Sequence, residues 1–237
     1  MILGITGTNT DVGKTVVATA LAQAVRDPRT QTPFSQVCYY KPVQTGEEAG
    51  AGDMFTLNAQ VQVPIYETIR YPEPLAPNLA ARRAGMRELN LEEVTNQARQ
   101  LDNPDTLVLL EGAGGLLVRM SETMTLPDIL RAVDAPLLVV TSLQLGSLNL
   151  AELTTAMAQN LGVHVAGIIG GYYPQPTHDE HANLAVSLNE AELANVTGVP
   201  YLGSLPRGYL DLDATAQTKA RQKLHLEYLW EDLVATQ

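Results

Sequence analysis

The chain opens MILGITGTNTDVGKT, an apolar run that passes into a glycine-bearing loop closed by Gly13-Lys14-Thr15. This order joins a buried strand to a helix through a loop whose backbone N–H groups and helix N-terminus converge on phosphate oxygens, with the lysine as a point charge. No other feature constrains the fold as much. The spacing departs from the pattern G-x-x-x-x-G-K-[ST] by one added residue, since five residues lie between Gly7 and Gly13. A glycine-rich turn with a surface lysine is the bland alternative, and it leaves the sequence of strand, loop, Lys-Thr and helix unexplained.

Further along, short β-rich runs alternate with segments of helical period, which implies a parallel sheet with crossover helices. Strands are expected near residues 1 to 6, 36 to 40, 106 to 110, 136 to 141, 164 to 169 and 200 to 204. Val16, Val17, Ala20, Leu21 and Ala24 give the segment after the loop the three- and four-residue spacing of an amphipathic helix. The expected fold is α/β, a doubly wound and mostly parallel sheet with helices on both faces, of the phosphate-binding-loop NTPase type, as one domain over residues 1–237. Residues 42 to 88 read as the least regular stretch, and the tail from Thr218, with Leu224, Tyr228, Leu229 and Leu233, as one terminal amphipathic helix.

Composition narrows the partners. The formal net charge of −11 and pI near 4.7 oppose a nucleic-acid groove or an anionic membrane as partner. The single cysteine, Cys38, excludes an intrachain disulfide framework and reads as a small core residue in VCYY. No basic presequence precedes the first strand and no run of 18 apolar residues occurs, so a soluble, intracellular, cytoplasmic protein is expected.

Ligands of open α/β sheets sit outside the carboxyl ends of the strands. There Lys41 follows VCYY, Glu111 follows LVLL, and Thr141-Ser142 follow LLVV, three polar sites facing one crevice. A carboxylate after four apolar strand residues is costly to bury without a cation. Mg²⁺ answers that need, with the Thr15 hydroxyl and Asp53 as further hard oxygen ligands, although spacing alone makes Asp53 equally a solvated loop acid. Pro42 holds Lys41 extended, so a second lysine faces Lys14, as suits an enzyme that handles two anions. His178 and His181, in the acidic run HDEH, read as a solvated helix start and are left out of the site.

GTNTDVGKT with its longer gap, YKPVQTG at 40 to 46, LLEGAGGLLV at 109 to 118 and LQLGSLN at 143 to 149 closely resemble the dethiobiotin synthetases over most of residues 1 to 207. The resemblance implies an ATP- and Mg²⁺-dependent cyclo-ligase of biotin biosynthesis, which makes dethiobiotin from 7,8-diaminopelargonate and CO₂. An amine takes up CO₂ as a carbamate, its oxygen attacks the γ-phosphate to give a carbamic-phosphoric anhydride, and the second amine displaces phosphate. By resemblance, Lys14, Lys41, Thr10 and Asp11 surround the reacting groups, and Lys41 and Thr45 hold the carbamate. Relatives often have Ser at the position of Thr45 and Glu at that of Asp11. Thr15, Asp53 and Glu111 match the magnesium ligands. Asp11, Val12, Gly13, Lys14, Thr15 and Val16 match nucleotide contacts, together with Gly171 and the Pro206, Arg207, Gly208 loop. Gly114 of the GAGG run supplies a close-approach backbone near the substrate. The family is a homodimer, and Gly146, Ser147, Leu148 and Asn149 of one subunit reach the substrate in the other's site. Read without the resemblance, Asn149 N-caps the next helix.

One departure is particular to this chain. Many relatives have an Asn-Asp pair after the strand matching VAGII, the Asn reading adenine, and this chain has Gly170-Gly171-Tyr172. Loss of the amide leaves the backbone and extra room at Gly171, which implies weak base selection, turnover with other nucleoside triphosphates, and a preference for CTP should the Gly170-Gly171 backbone meet the edge of cytosine. Two rivals fit less well. Partitioning or targeting ATPases usually carry an extra lysine near the first glycine, where this loop has Thr8. A cobyrinate-type amidotransferase needs a further domain with a nucleophilic cysteine.

Overall fold

The computed structural model describes residues 1–173 and 180–235. Seven strands, β1 (Ile2–Gly7), β2 (Gln36–Thr45), β3 (Ile65–Tyr71), β4 (Thr106–Gly115), β5 (Leu137–Thr141), β6 (Val165–Tyr173) and β7 (Tyr201–Pro206), form one sheet in the order β3-β2-β4-β1-β5-β6-β7. Every pairing is parallel. The chain leaves β1 for β2 and β3, returns through β4, and crosses to β5, β6 and β7. This reversal around β1 places a topological switch point at the end of the opening strand.

Helices α1 (Lys14–Arg26), α2 (Asp53–Val61), α8 (Ala214–Arg221) and α9 (Leu226–Ala235) cover one face. Helices α3 (Pro77–Ala84), α4 (Leu91–Leu101) and α5 (Leu126–Ala132) cover the other. Two core clusters result. Val17, Ala20, Leu21 and Ala24 of α1 pack with Leu3, Ile5, Leu107 and Leu109. Val94, Ala98, Ile129 and Leu130 pack with Val108, Leu110, Leu137 and Val139. Strands covered on both faces need no alternation, which is why Leu107 to Leu110 are all fully buried; burying each such side chain contributes about 1.5–3 kcal/mol. Helices α6 (Ser147–Asn160) and α7 (Glu180–Thr197) enclose a smaller cluster of Leu143, Ala151, Val186 and Leu193.

The expected strands are present and the two nearest the crevice run further than their apolar runs suggest. Pairing of β2 with β4 ends at Tyr40 and Leu110. Lys41 and Glu111 thus occupy the first positions past the last pair, still in extended backbone but where the two strands part. Residues 42 to 88 are more regular than expected, for they hold α2, β3 and α3. Strand β3 escapes a search for apolar runs because IYETIRY lies at the sheet edge with most of its residues only half-buried.

The tail is two helices rather than one. Leu224 lies buried in the turn between α8 and α9, Leu229 and Leu233 face the core, and Tyr228 is 55% exposed. Cys38 is a buried core residue. Helix α7 includes Glu180 and His181, the last two residues of the acidic run expected at a helix start, and His178 lies outside the described residues. Among the described residues no helix is long and apolar enough to cross a membrane.

Candidate active site

The loop after β1 is held by its neighbours on the sheet. The Thr8 N–H donates to the Val140 carbonyl at 2.9 Å, and the Thr8 and Thr141 hydroxyls meet at 3.2 Å. Thr141 is fully buried and belongs to this brace, not to the crevice wall as expected. Asp11 has φ 57° and Gly13 φ 96°, left-handed conformations that aspartate tolerates and glycine adopts freely. Gly13 caps α1 without a side-chain hydrogen bond, so the first N–H groups of the helix point toward the cleft.

Lys14 is buried and forms no ion pair among the described residues. Burial pushes its pKa below the ordinary lysine value, and the Glu111 carboxylate offsets this only in part. An uncompensated cation at the foot of a helix N-terminus is an anion site.

Beside it lies a compact charge cluster. Lys41 Nζ stands 2.5 Å from Asp53 Oδ2 and 2.8 Å from Glu111 Oε1, and donates more weakly to the Gly112 carbonyl at 3.3 Å. Thr15 Oγ1 lies 2.9 Å from Asp53 Oδ1 and 3.3 Å from Glu111 Oε1, so its one proton has two carboxylates to choose from. Burial alone would depress the Lys41 pKa, but Glu111 and then Asp53 outweigh it and hold the group above its usual value. Burial likewise opposes ionisation of Asp53, and Lys41 overcomes it, leaving this carboxyl below its usual range.

Among the described residues the remaining oxygen of Glu111, Oε2, is buried without a hydrogen-bond partner of normal geometry, and so is the Tyr39 hydroxyl, which lies close enough to Glu111 and Thr15 to interact with both. Burial first, and then the Glu111 and Asp53 carboxylates, push the Tyr39 pKa well up, so this phenol is neutral. A buried carboxylate oxygen without a donor is strongly unfavourable. Together with the Thr15 hydroxyl and Asp53 it suits a hard divalent cation. Among the described residues no group of three His, Cys, Asp or Glu could hold a metal, and Mg²⁺ beside phosphates needs only one or two carboxylates.

A cleft of about 810 Å³ gathers Thr10, Asp11, Gly13, Lys14, Thr15, Val16, Lys41, Thr45, Asp53, Glu111 and Gly114 on its walls. Gly114 has φ 62°, and a Cβ there would stand 3.0 Å from Val118 Cγ2. Val12 lies buried beneath the loop.

Eight other expected residues, Gly146 to Asn149, Gly171 and Pro206 to Gly208, line no part of this cleft. Ser147, Leu148 and Asn149 form the first turn of α6, which Gly146 caps with φ 92°; Asn149 is therefore within the helix and is not its N-cap. Pro206 ends β7, and Arg207 and Gly208 follow it. Gly171 differs most from expectation. A Cβ there would stand 1.8 Å from the Val12 carbonyl oxygen, and one on Gly13 would meet the Gly171 backbone at 2.8 Å. The position offers no extra room, because β6 runs directly against the loop backbone.

Two of the cleft residues that were not anticipated carry groups of use to a ligand. Gln44, within the YKPVQTG stretch, accepts a hydrogen bond from the Asp53 N–H at 3.4 Å. Tyr172 follows Gly171 into the cleft wall, and the Arg207 guanidinium lies 5.6 Å from its ring centroid. Its aromatic ring next to the missing amide was the available signal.

Residues 2–211 match the sequence family described as an AAA domain. A Corynebacterium diphtheriae protein named ATP-dependent dethiobiotin synthetase is 47% identical, the match covering 97% of this chain and 99% of the relative. One of the same name from Rhodococcus jostii is 45% identical over 87% of each chain. Among solved structures, the cell division ATPase MinD of Pyrococcus furiosus superposes with a TM-score of 0.52 at 13% identity, covering 100% of this chain and 99% of that one. At that identity the likeness shows the fold alone.

Proposed function

The chain belongs to the ATP-dependent dethiobiotin synthetase family, and on that premise we propose how its cleft performs the family's reaction, the ATP-dependent synthesis of dethiobiotin for biotin. The carrying observation is the Lys41–Asp53–Glu111–Thr15 cluster set against a buried, unpaired Lys14. A nucleoside triphosphate lays its phosphates along the N–H groups of Asp11 to Val16, where Lys14 neutralises charge on the transferred phosphoryl group. Thr15, Asp53 and Glu111 would hold Mg²⁺, which supplies charge neutralisation at the phosphates.

Carbamate formed on 7,8-diaminopelargonate is received by Lys41 and the Thr45 hydroxyl. The three donors of the Lys41 ammonium already meet Asp53, Glu111 and the Gly112 carbonyl, and the carbamate takes the place of the longest contact, that at 3.3 Å. Thr10 and Asp11, at the tip of the lengthened loop, flank the reacting oxygen. Gly114 lets the backbone approach the substrate closely. Ring closure then needs only that the second amine reach the carbamic-phosphoric anhydride, a matter of holding both ends of the substrate.

The residues at the start of α6 act in a second copy. Leu150, Leu153 and Met157 on α6 and Leu184 and Leu188 on α7 are exposed, as is Leu145, 90% accessible. So large an apolar face is the mark of an interface, and two-fold pairing of α6 and α7 would carry Gly146 to Asn149 to the partner's cleft in a homodimer. Reaction in the cytoplasm accords with this reading.

Base selection is weak. No side-chain amide is present at Gly171, and the aromatic face of Tyr172 accepts any base, so ATP serves alongside other nucleoside triphosphates, CTP included. Purified protein given 7,8-diaminopelargonate, bicarbonate, Mg²⁺ and ATP is expected to yield dethiobiotin and phosphate in equal amounts, and absence of dethiobiotin refutes the reading. Repeating the assay with GTP, CTP and UTP tests selection; exclusive use of ATP would show that adenine is read by another group.

A further inference from the structure

Asp53 is the first residue of α2, and the segment before it is hard to hold still. Gly46, Gly50 and Gly52 all have positive φ, and glycine-rich backbone loses much entropy on ordering. One side chain outside the cleft does most of the holding. Arg70, on the edge strand β3, shares its Nη1 donors among the carbonyls of Glu47 at 3.2 Å, Glu48 at 2.7 Å and Ala51 at 3.0 Å. Its other side is fixed by Glu67 through a two-pronged pair of 3.0 and 2.7 Å. The guanidinium also lies 5.9 Å from the ring centroid of Phe55, in the first turn of α2.

Gln44 stands directly opposite Arg70 in the β2–β3 register. Besides accepting from the Asp53 N–H, it fills the space beside Gly52, where a Cβ would come within 2.9 Å of its Cδ. The two neighbours therefore grip the loop at both ends, Arg70 by its carbonyls and Gln44 where it enters the helix. Asp53 can turn both its oxygens inward, to Thr15 and Lys41, because the loop that delivers it is fixed.

We propose that Arg70 is a positioning residue for Asp53, clamping the 46–52 loop so that the carboxylate is set for Mg²⁺; this rests on the reading of Asp53 as a magnesium ligand. A planar fork fixed by a carboxylate on one side suits the task, since several carbonyls need donors at fixed angles. Lysine at 70 reaches fewer of them. Partners that orient metal ligands typically contribute ten- to a hundredfold to metal affinity.

The test uses the full chain and a non-hydrolysable ATP analogue, titrated by calorimetry in chelator and across a Mg²⁺ series. Arg70→Met is expected to raise the Mg²⁺ concentration needed for tight nucleotide binding by at least about tenfold, to leave binding in chelator unchanged, and to add nothing in an Asp53→Asn background. Arg70→Lys should fall between, and it serves if the methionine variant folds poorly. A second readout is cleavage by a glutamate-specific protease after Glu47 or Glu48, expected to speed up in both Arg70 variants. Unchanged Mg²⁺ dependence together with unchanged cleavage overturns the proposal. Faster cleavage with an unchanged Mg²⁺ dependence in Asp53→Asn itself refutes the ligand reading and with it the link to metal, while the loop clamp stands. Equal weakening with and without Mg²⁺ overturns the positioning role, for it shows general damage to the site.

Discussion

Replacing Lys41 with Leu should unsettle the protein as well as its chemistry. Glu111 is 1% exposed, and among the described residues its one ion pair is with the Lys41 ammonium at 2.8 Å. Leucine fills the volume and leaves that carboxylate buried and unpaired. Breaking a buried pair in this way destabilises by about 3–5 kcal/mol. The Asp53 side chain is 35% exposed and can turn to water, so its share is small. In a chain of this size 1 kcal/mol moves the melting midpoint by roughly 2–4 °C, which makes the expected drop roughly 6–20 °C.

Calorimetric melts of the parent and Lys41→Leu, in chelator and with Mg²⁺ plus a non-hydrolysable nucleotide, check the figure. The gap should narrow with Mg²⁺, because a divalent cation at the same carboxylates replaces the missing charge. Assayed separately with Mg²⁺ and ATP, dethiobiotin formation should be largely lost in Lys41→Leu. Adding Glu111→Gln to the variant should recover much of the stability, since a neutral amide tolerates the site better. Equal midpoints in chelator would refute the reasoning, for they would mean that Glu111 has no need of the lysine. The pH dependence has a definite sign. Lys41 is held above the ordinary 10.5 and Asp53 below 3.8, so the pair stabilises the fold throughout the interval between. That contribution fades as pH falls through the folded value of Asp53 and as it rises through that of Lys41, and the variant should lose the alkaline limb.

Two further outcomes test the site's surroundings. Gly171→Ala should abolish tight nucleotide binding while leaving helical content intact, because its Cβ would overlap the Val12 carbonyl at 1.8 Å and push the loop off its N–H geometry; parent-like binding would show that β6 and the loop separate easily. Leu153→Asp with Leu188→Asp, both on the exposed face, should give monomers by sedimentation that retain nucleotide binding and lose affinity for 7,8-diaminopelargonate. A parent that sediments as a fully active monomer would refute the assembly.

What could be read from the sequence was what is encoded in consecutive residues. A charged residue directly after an apolar strand is visible as such, and so Lys41 and Glu111 were found, with the Thr15 hydroxyl at the head of α1. The apolar runs located six of the seven strands, and β3 escaped because IYETIRY mixes Glu67, Thr68 and Arg70 among its apolar residues and lies largely half-buried at one sheet edge. Asp53 was ambiguous for a related reason. Its environment is made by Thr15, Lys41, Gln44 and, through the loop, Arg70, residues 38, 12, 9 and 17 positions away along the chain, and no local pattern records such a meeting. Gly171 shows the limit most sharply. A missing side chain suggests vacant space, yet whether space exists depends on what the fold brings against it. Here it brings the carbonyl of Val12. The glycine that looked like a lost reader of the base is then a packing requirement of the loop itself, and the next residue, Tyr172, is the one that β6 places on the cleft wall, where we propose that it meets the base.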